Sequence, residues 1–119
     1  MILAPIGYLS PAHLSEKDRS LANLFGQGGS SISYAPTQEC SIFFSFLALD
    51  LIVLIENVGD RKHLLDELSL IRKAGFSNQF CKIIYDAFSA GLKYVLFHEY
   101  GPEDPKYSIL SHEYHVLGS

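Results

Sequence analysis

The densest group of chemically versatile side chains lies near the C-terminus, where the triplet His-Glu-Tyr occurs twice. Its members are His98, Glu99, Tyr100, His112, Glu113 and Tyr114, and His115 directly follows the second triplet. Imidazole and carboxylate groups are zinc ligands, but a zinc site needs three or four of them at about 2.0 to 2.2 Å from the metal. The candidate ligands for such a site are His98, His112 and His115.

The spacing of the two triplets does not favour their convergence on one metal ion. If Tyr100 pairs with Tyr107 across a turn at 101–105, His112 lies opposite Val95 and about 10 Å from His98 along the strand. The triplets also lack the His-Glu-x-x-His spacing of helical zinc sites. We therefore assign no metal and no cofactor, and a small metal-dependent hydrolase that uses the C-terminal histidines is the alternative hypothesis.

Tyrosines and acids crowd the same C-terminal quarter of the chain. Tyrosine is a frequent anchor of protein interfaces because its ring is apolar and its hydroxyl is polar. We predict a partner-binding set that consists of Tyr94, Tyr100, Tyr107, Tyr114, Glu99, Glu103 and Asp104. The alternative is that alternate tyrosines pack on the helices, since the period of a strand places only some of them on one face.

Patterns typical of catalysis are weak elsewhere in the chain. There is no Gly-x-Ser-x-Gly nucleophile motif, and the glycines around Gly28 lack the Lys-Ser or Lys-Thr of a phosphate loop. Cys40 and Cys81 are the only cysteines, and their spacing favours reduced, buried thiols. Asp50, inside an apolar run, either faces water at a strand break, which we favour, or is buried with a partner. We assign no catalytic residue.

The elements that must position these residues follow from hydrophobic periodicity and capping signals. Residues 40–55 carry no charge except Asp50 and indicate buried strand. They form one long strand or two, and we favour two strands with a break near 48–50. The candidate helix starts are Ser10-Pro11 or Ser15 for the first helix, then Asp60 and Ser77, and the candidate helix ends are Gly26, Gly75 and Gly91. The expected strands are 2–9, a short edge strand at 32–35, two within 40–55, 92–97 and 107–110, and the expected helices are 15–25, 61–74 and 78–90. The predicted fold is α+β, with a single-layer, mostly antiparallel sheet packed by about three helices, and residues 1–119 form a single globular domain.

Composition narrows the choice of partners. Nine basic residues against thirteen acidic ones give a net charge of −4, and the basic residues form no stripe, so nucleic acid binding is disfavoured. The apolar run at 40–55 is too short to span a membrane, and the N-terminus lacks the basic region of a signal peptide. We expect a cytoplasmic protein with a protein partner, and a homodimer through a β edge is a further hypothesis.

Two segments carry a resemblance to a class of proteins. The sequence AFSAGLKYVLF at 87–97, followed by Gly101-Pro102 and a later Tyr, resembles the C-terminal pattern of small plasmid and phage accessory proteins. The sequence LSPAHLS at 9–15 is similar to their N-terminal pattern, although Ser10-Pro11 stands where that pattern has Thr. The resemblance implies a mobile-element setting and no catalytic residues. We predict a small inhibitor or immunity-type protein that occludes a partner protein, as anti-CRISPR proteins do.

Overall fold

A computed structural model describes residues 6–26, 41–47 and 50–111 of the chain. Within these residues the chain forms four strands, three α-helices and one 3₁₀ turn. In chain order they are β1 (Ile6–Leu9), the 3₁₀ turn Pro11–His13, α1 (Glu16–Gly26), β2 (Phe43–Leu47), β3 (Asp50–Leu54), α2 (Arg61–Ala74), α3 (Asn78–Ser89) and β4 (Tyr94–Phe97). The predicted strand at 32–35 lies outside the described residues. The α+β class predicted from the sequence is confirmed.

The strands form one mixed sheet in the order β1-β4-β3-β2. β2 and β3 pair antiparallel, with Leu47 opposite Asp50, so the predicted division of the apolar run into two strands is confirmed. β3 and β4 are also antiparallel. β1, however, lies parallel to β4. The prediction of a mostly antiparallel sheet is therefore corrected to a mixed sheet.

The predicted return strand at 107–110 is wrong. No strand is present there, and the physical reason is the position of β4, which has β1 on one side and β3 on the other. A strand has only two hydrogen-bonding edges, so β4 cannot pair with a further strand. The predicted opposition of Tyr100 to Tyr107 fails for the same reason. The segment instead crosses the 3₁₀ turn, where Leu110 N–H donates to Ala12 O.

Local signals set the helix ends. The Asp60 carboxylate accepts from His63 N–H at the start of α2, and Gly75 ends this helix in the left-handed conformation, with φ 117°. Ser77 caps α3 by accepting from Phe80 N–H. These three predictions are confirmed, because a cap depends only on residues within one turn of it.

The core lies on one face of the sheet. Phe44, Leu51, Val53, Val95 and Phe97 point to that face and are buried. They join one cluster with residues of all three helices, including Leu21, Leu64, Ile71, Phe80 and Ile84. Residues 40–55 therefore supply the core with only one of their two faces, because successive strand residues point to opposite sides. Among the described helices, none has the length and apolar character that crossing a membrane requires.

Candidate functional site

The second face of the sheet carries a continuous set of apolar and aromatic side chains. Strand register places Ile6, Tyr94, Leu54 and Phe43 in one row across the four strands, and Tyr8, Leu96, Ile52 and Ser45 in the next. Asp50, at the start of β3, has the same orientation. We call these nine residues the open face. None of them is buried, although seven are apolar or aromatic.

Exposure is greatest at the two edges of the open face. Ile6 and Tyr8 on β1 expose 51% and 44% of their surface, and Phe43 on β2 exposes 50%. Ile52, Leu54 and Leu96 on the central strands are partly exposed. A contiguous apolar patch of this kind is uncommon on a monomer and marks surfaces that contact another molecule.

Polar groups stand at one end of the open face, where β4 ends and β3 begins. His98 Nε2 lies 3.5 Å from Asp50 Oδ1, and the Tyr8 hydroxyl lies 3.3 Å from His98 Nδ1. The Tyr100 N–H donates to the same Nδ1 at 3.1 Å. Asp50 is partly exposed, so the preferred prediction of a water-facing carboxylate at a strand break agrees with its position.

A second carboxylate marks the opposite end of the open face. Glu56 follows β3 by two residues, and its Oε2 accepts from the Tyr94 hydroxyl at 2.8 Å. This bond raises the pKa of Tyr94, because the phenol donates to a charged acceptor. The open face thus has an apolar centre between Asp50 and Glu56.

The tautomer of the His98 ring does not suit zinc binding through Nε2. Because Nδ1 accepts from the Tyr100 N–H, the neutral ring carries its hydrogen on Nε2, towards Asp50. Binding zinc through Nε2 would move that hydrogen to Nδ1, where it would meet the Tyr100 N–H. The other two candidate ligands, His112 and His115, lie outside the described residues. Within the described ranges, no three side chains of His, Cys, Asp or Glu form a group suited to a metal ion.

The predicted partner-binding residues occupy different places. Tyr94 belongs to the open face, and Tyr100, 80% exposed, stands beside His98 with ring centroids 5.5 Å apart. Glu99 is exposed next to it. Tyr114 lies outside the described residues.

Tyr107 and the acids of its segment lie on the helix side of the sheet instead. The Tyr107 ring is buried, and its hydroxyl donates to Asp86 Oδ2 at 2.7 Å. Glu103 and Asp104 are partly exposed. Asp104 and Tyr107 line a cavity of ≈ 230 Å³ between β1, α3 and this segment. The structure therefore does not bring the predicted set together on one surface.

Hydrogen bonds from His13 hold the segment that contains Tyr107 in place. This buried ring donates from Nδ1 to Ser108 O at 3.0 Å and accepts at Nε2 from the Asp104 N–H at 2.8 Å. Gln79 adds bonds to Ser108 through both of its amide atoms. Since both ring nitrogens of His13 are occupied by backbone groups, His13 has a structural role here.

Asp18 is a buried carboxylate three residues after the predicted cap Ser15. It accepts from the Ser15 N–H at 3.1 Å, and the Ser15 hydroxyl accepts from the Asp18 N–H at 3.0 Å, which is a capping box. Its two oxygens also accept from the Ser77 N–H at 2.7 Å and the Ser77 hydroxyl at 2.6 Å. Asp18 thus joins the starts of α1 and α3, and all its described contacts are structural.

A serine, a histidine and a glutamate meet beside α2, but their geometry is not that of a nucleophilic triad. His63 Nε2 lies 3.1 Å from both Ser41 Oγ and Glu67 Oε1. His63 Nδ1 accepts from the Gly59 N–H at 3.0 Å. In a triad the serine and the acid contact opposite nitrogens of the ring. Here they contact the same nitrogen, so His63 cannot act as the base for Ser41 while Glu67 orients it.

Comparison with known proteins gives no match: no family model, no curated protein and no solved structure matches this chain. The function must therefore be argued from the site itself. The open face was missed in the sequence analysis because residues 50–55 are apolar on both faces, apart from Asp50. The available signal was the alternation of Tyr8, Tyr94 and Leu96 with the core residues of their strands.

Proposed function

We propose that the chain is a protein-binding module that docks on a partner protein through its open face. The observation that carries the proposal is the exposure of seven apolar or aromatic side chains on one sheet face, with carboxylates at both ends. An apolar centre with a polar rim is the usual anatomy of a protein interface. Tyr8 and Tyr94 provide the amphipathic anchors that such interfaces favour.

The same proposal extends to an inhibitor or immunity-type role. A chain of 13.3 kDa that docks through one face of its sheet covers the surface to which it binds, and so occludes it. The resemblance of 9–15 and 87–97 to plasmid and phage accessory proteins supports a mobile-element setting, with anti-CRISPR proteins as the concrete version.

The experiment compares affinity capture by the wild type with capture by two lysine variants. Leu96→Lys places a charge at the centre of the open face. Leu65→Lys is the matched control, because Leu65 is 51% exposed on α2, away from the open face. Both variants should keep the circular dichroism spectrum of the wild type, since neither position is buried.

The proposal expects the wild type and Leu65→Lys to recover the same stoichiometric partner, and Leu96→Lys to lose it. A partner that remains bound to Leu96→Lys would contradict docking through the open face. Light scattering on the same samples tests the homodimer, which would show twice the 13.3 kDa chain mass. A pair formed through the open face would be lost in Leu96→Lys, whereas a pair formed through a β edge would persist in both variants, because Leu96 lies on a central strand.

A further inference from the structure

We infer that the open face binds an amphipathic helix of the partner protein, with basic residues at both ends of the apolar stripe of that helix. This inference rests on the proposed function and names the chemistry of the partner segment. It follows from the charges of the open face and from its dimensions.

The charges at the two ends of the open face are both negative. Asp50 stands at one end beside His98, and Glu56 stands at the other beside Tyr94. No lysine or arginine occupies an open-face position in the described strands. Lys93, next to Tyr94, has the opposite parity along the chain and so points away from this face. The complementary segment therefore carries basic groups at its two ends.

The same charges disfavour two other occupants. In a face-to-face pair of two copies, Asp50 and Glu56 of one copy would meet a surface without lysine or arginine, so the four carboxylates would gain no counter-charge from either of these side chains. An anionic membrane would repel both ends of the face. A basic partner protein would pair with these carboxylates and would not be repelled by them.

The dimensions of the open face fit a helix. The row of Leu54 and the row of Asp50 are four residues apart, which is about 13 Å along the strand. Four strands span about 14 Å across the sheet, enough for one helix of about 10 Å diameter. About nine helical residues cover 13 Å, so apolar residues at i, i+3, i+4 and i+7 reach Ile52, Leu54 and Leu96. Basic residues just beyond that stripe reach Asp50 and Glu56.

Helices already cover the other face of the sheet, where residues of α2 and α3 belong to one buried cluster with Val53, Val95 and Phe97. A partner helix on the open face would complete three layers, helix on sheet on helix, which is a stable arrangement of secondary structure. The carboxylates retain acceptor capacity for this role, since Glu56 receives a bond from Tyr94 at Oε2 and a carboxylate accepts up to about four.

The test is fluorescence anisotropy with three labelled model peptides on the full chain. The probe is a 16-residue Leu/Lys helix with leucines at i, i+3, i+4 and i+7 and lysines at both ends. Its controls are a scrambled peptide of the same composition and a peptide with Glu in place of Lys. The inference expects the probe to bind the wild type at least about tenfold more tightly than either control.

Variants of the chain locate the binding. Leu96→Lys should weaken probe binding by at least about tenfold, and Asp50→Asn and Glu56→Gln by about twofold to fivefold each. Gln at position 56 keeps an acceptor for the Tyr94 hydroxyl. Asp66→Asn, at an exposed position of α2, is the matched control and should leave binding unchanged.

Equal binding of the Glu peptide, or an equal loss in Asp66→Asn, would overturn the inference. So would binding of the wild type to anionic phosphatidylserine vesicles without binding of the probe. These results would not contradict the proposed function, because the capture experiment with Leu96→Lys does not depend on the charge or the conformation of the partner segment. A captured partner that contacts the open face through a strand or an acidic segment would overturn this inference alone.

Discussion

Replacing Asp18 by alanine removes a buried carboxylate that joins the starts of two helices, and should destabilise the fold strongly. The carboxylate accepts from the backbone N–H groups of Ser15 and Ser77 and from the Ser77 hydroxyl. The hydroxyl can rotate, but the two backbone donors have fixed directions. A buried donor left without an acceptor costs about 1 to 3 kcal/mol, so Asp18→Ala should lower the free energy of unfolding by about 3 kcal/mol.

Urea denaturation followed by circular dichroism measures this loss. With an m-value of about 1.5 kcal/mol per M, the Asp18→Ala midpoint should fall by about 2 M. Asp18→Asn should lose about half of this amount, because its amide oxygen can still accept from one of the two backbone N–H groups while its amide nitrogen cannot accept from the other. Glu16→Ala, exposed on the same turn, should stay within about 0.5 kcal/mol. A fall of less than about 0.5 M for Asp18→Ala would refute the structural role given to this carboxylate.

Two further predictions concern the ends of β1 and β4 and the buried tyrosine. In Gly101→Ala the new Cβ would overlap the backbone atoms Leu9 O and Leu9 C, so urea denaturation should show that the free energy of unfolding falls by about 2 kcal/mol or more. The control is Gly59→Ala, whose new Cβ would make only an ordinary side-chain contact. Equal stability of the two variants would contradict the close approach of Gly101 to Leu9. Burial, and then the hydrogen bond to Asp86, raises the pKa of Tyr107, while the unfolded phenol titrates near ~10. Above pH ~10 the free energy of unfolding should therefore fall by up to about 1.4 kcal/mol per pH unit in the wild type, and less steeply in Tyr107→Phe. Urea denaturation at alkaline pH measures this dependence, and the same dependence on pH in both proteins would contradict the burial of the Tyr107 phenol.

The sequence predicted features whose physical cause is local. Asp60, Gly75 and Ser77 mark helix ends through bonds within one turn, and the apolar run divides where Leu47 and Asp50 face each other. The helix ends have strong signals because they depend on neighbouring residues, whereas no Gly, Pro or Asn marks the division of the apolar run.

Long-range pairings escaped prediction because no local signal encodes them. The parallel pairing of β1 with β4 joins residues separated by nearly the whole described chain, and it removes the edge that a return strand at 107–110 would have used. The bonds from Asp18 to Ser77 likewise span 59 residues. Without the strand order, the sequence could not reveal that Tyr8, Leu96 and Ile52 share one row.

The most direct test of the open face as a docking surface is photo-cross-linking from two positions of equal exposure. Benzoylphenylalanine is placed at position 43 on the open face, or at position 65 on α2; the native side chains are 50% and 51% exposed. We predict that position 43 cross-links to one protein partner and that position 65 does not. Cross-linking to the same partner from position 65 alone, or equally from both positions, would contradict docking through the open face.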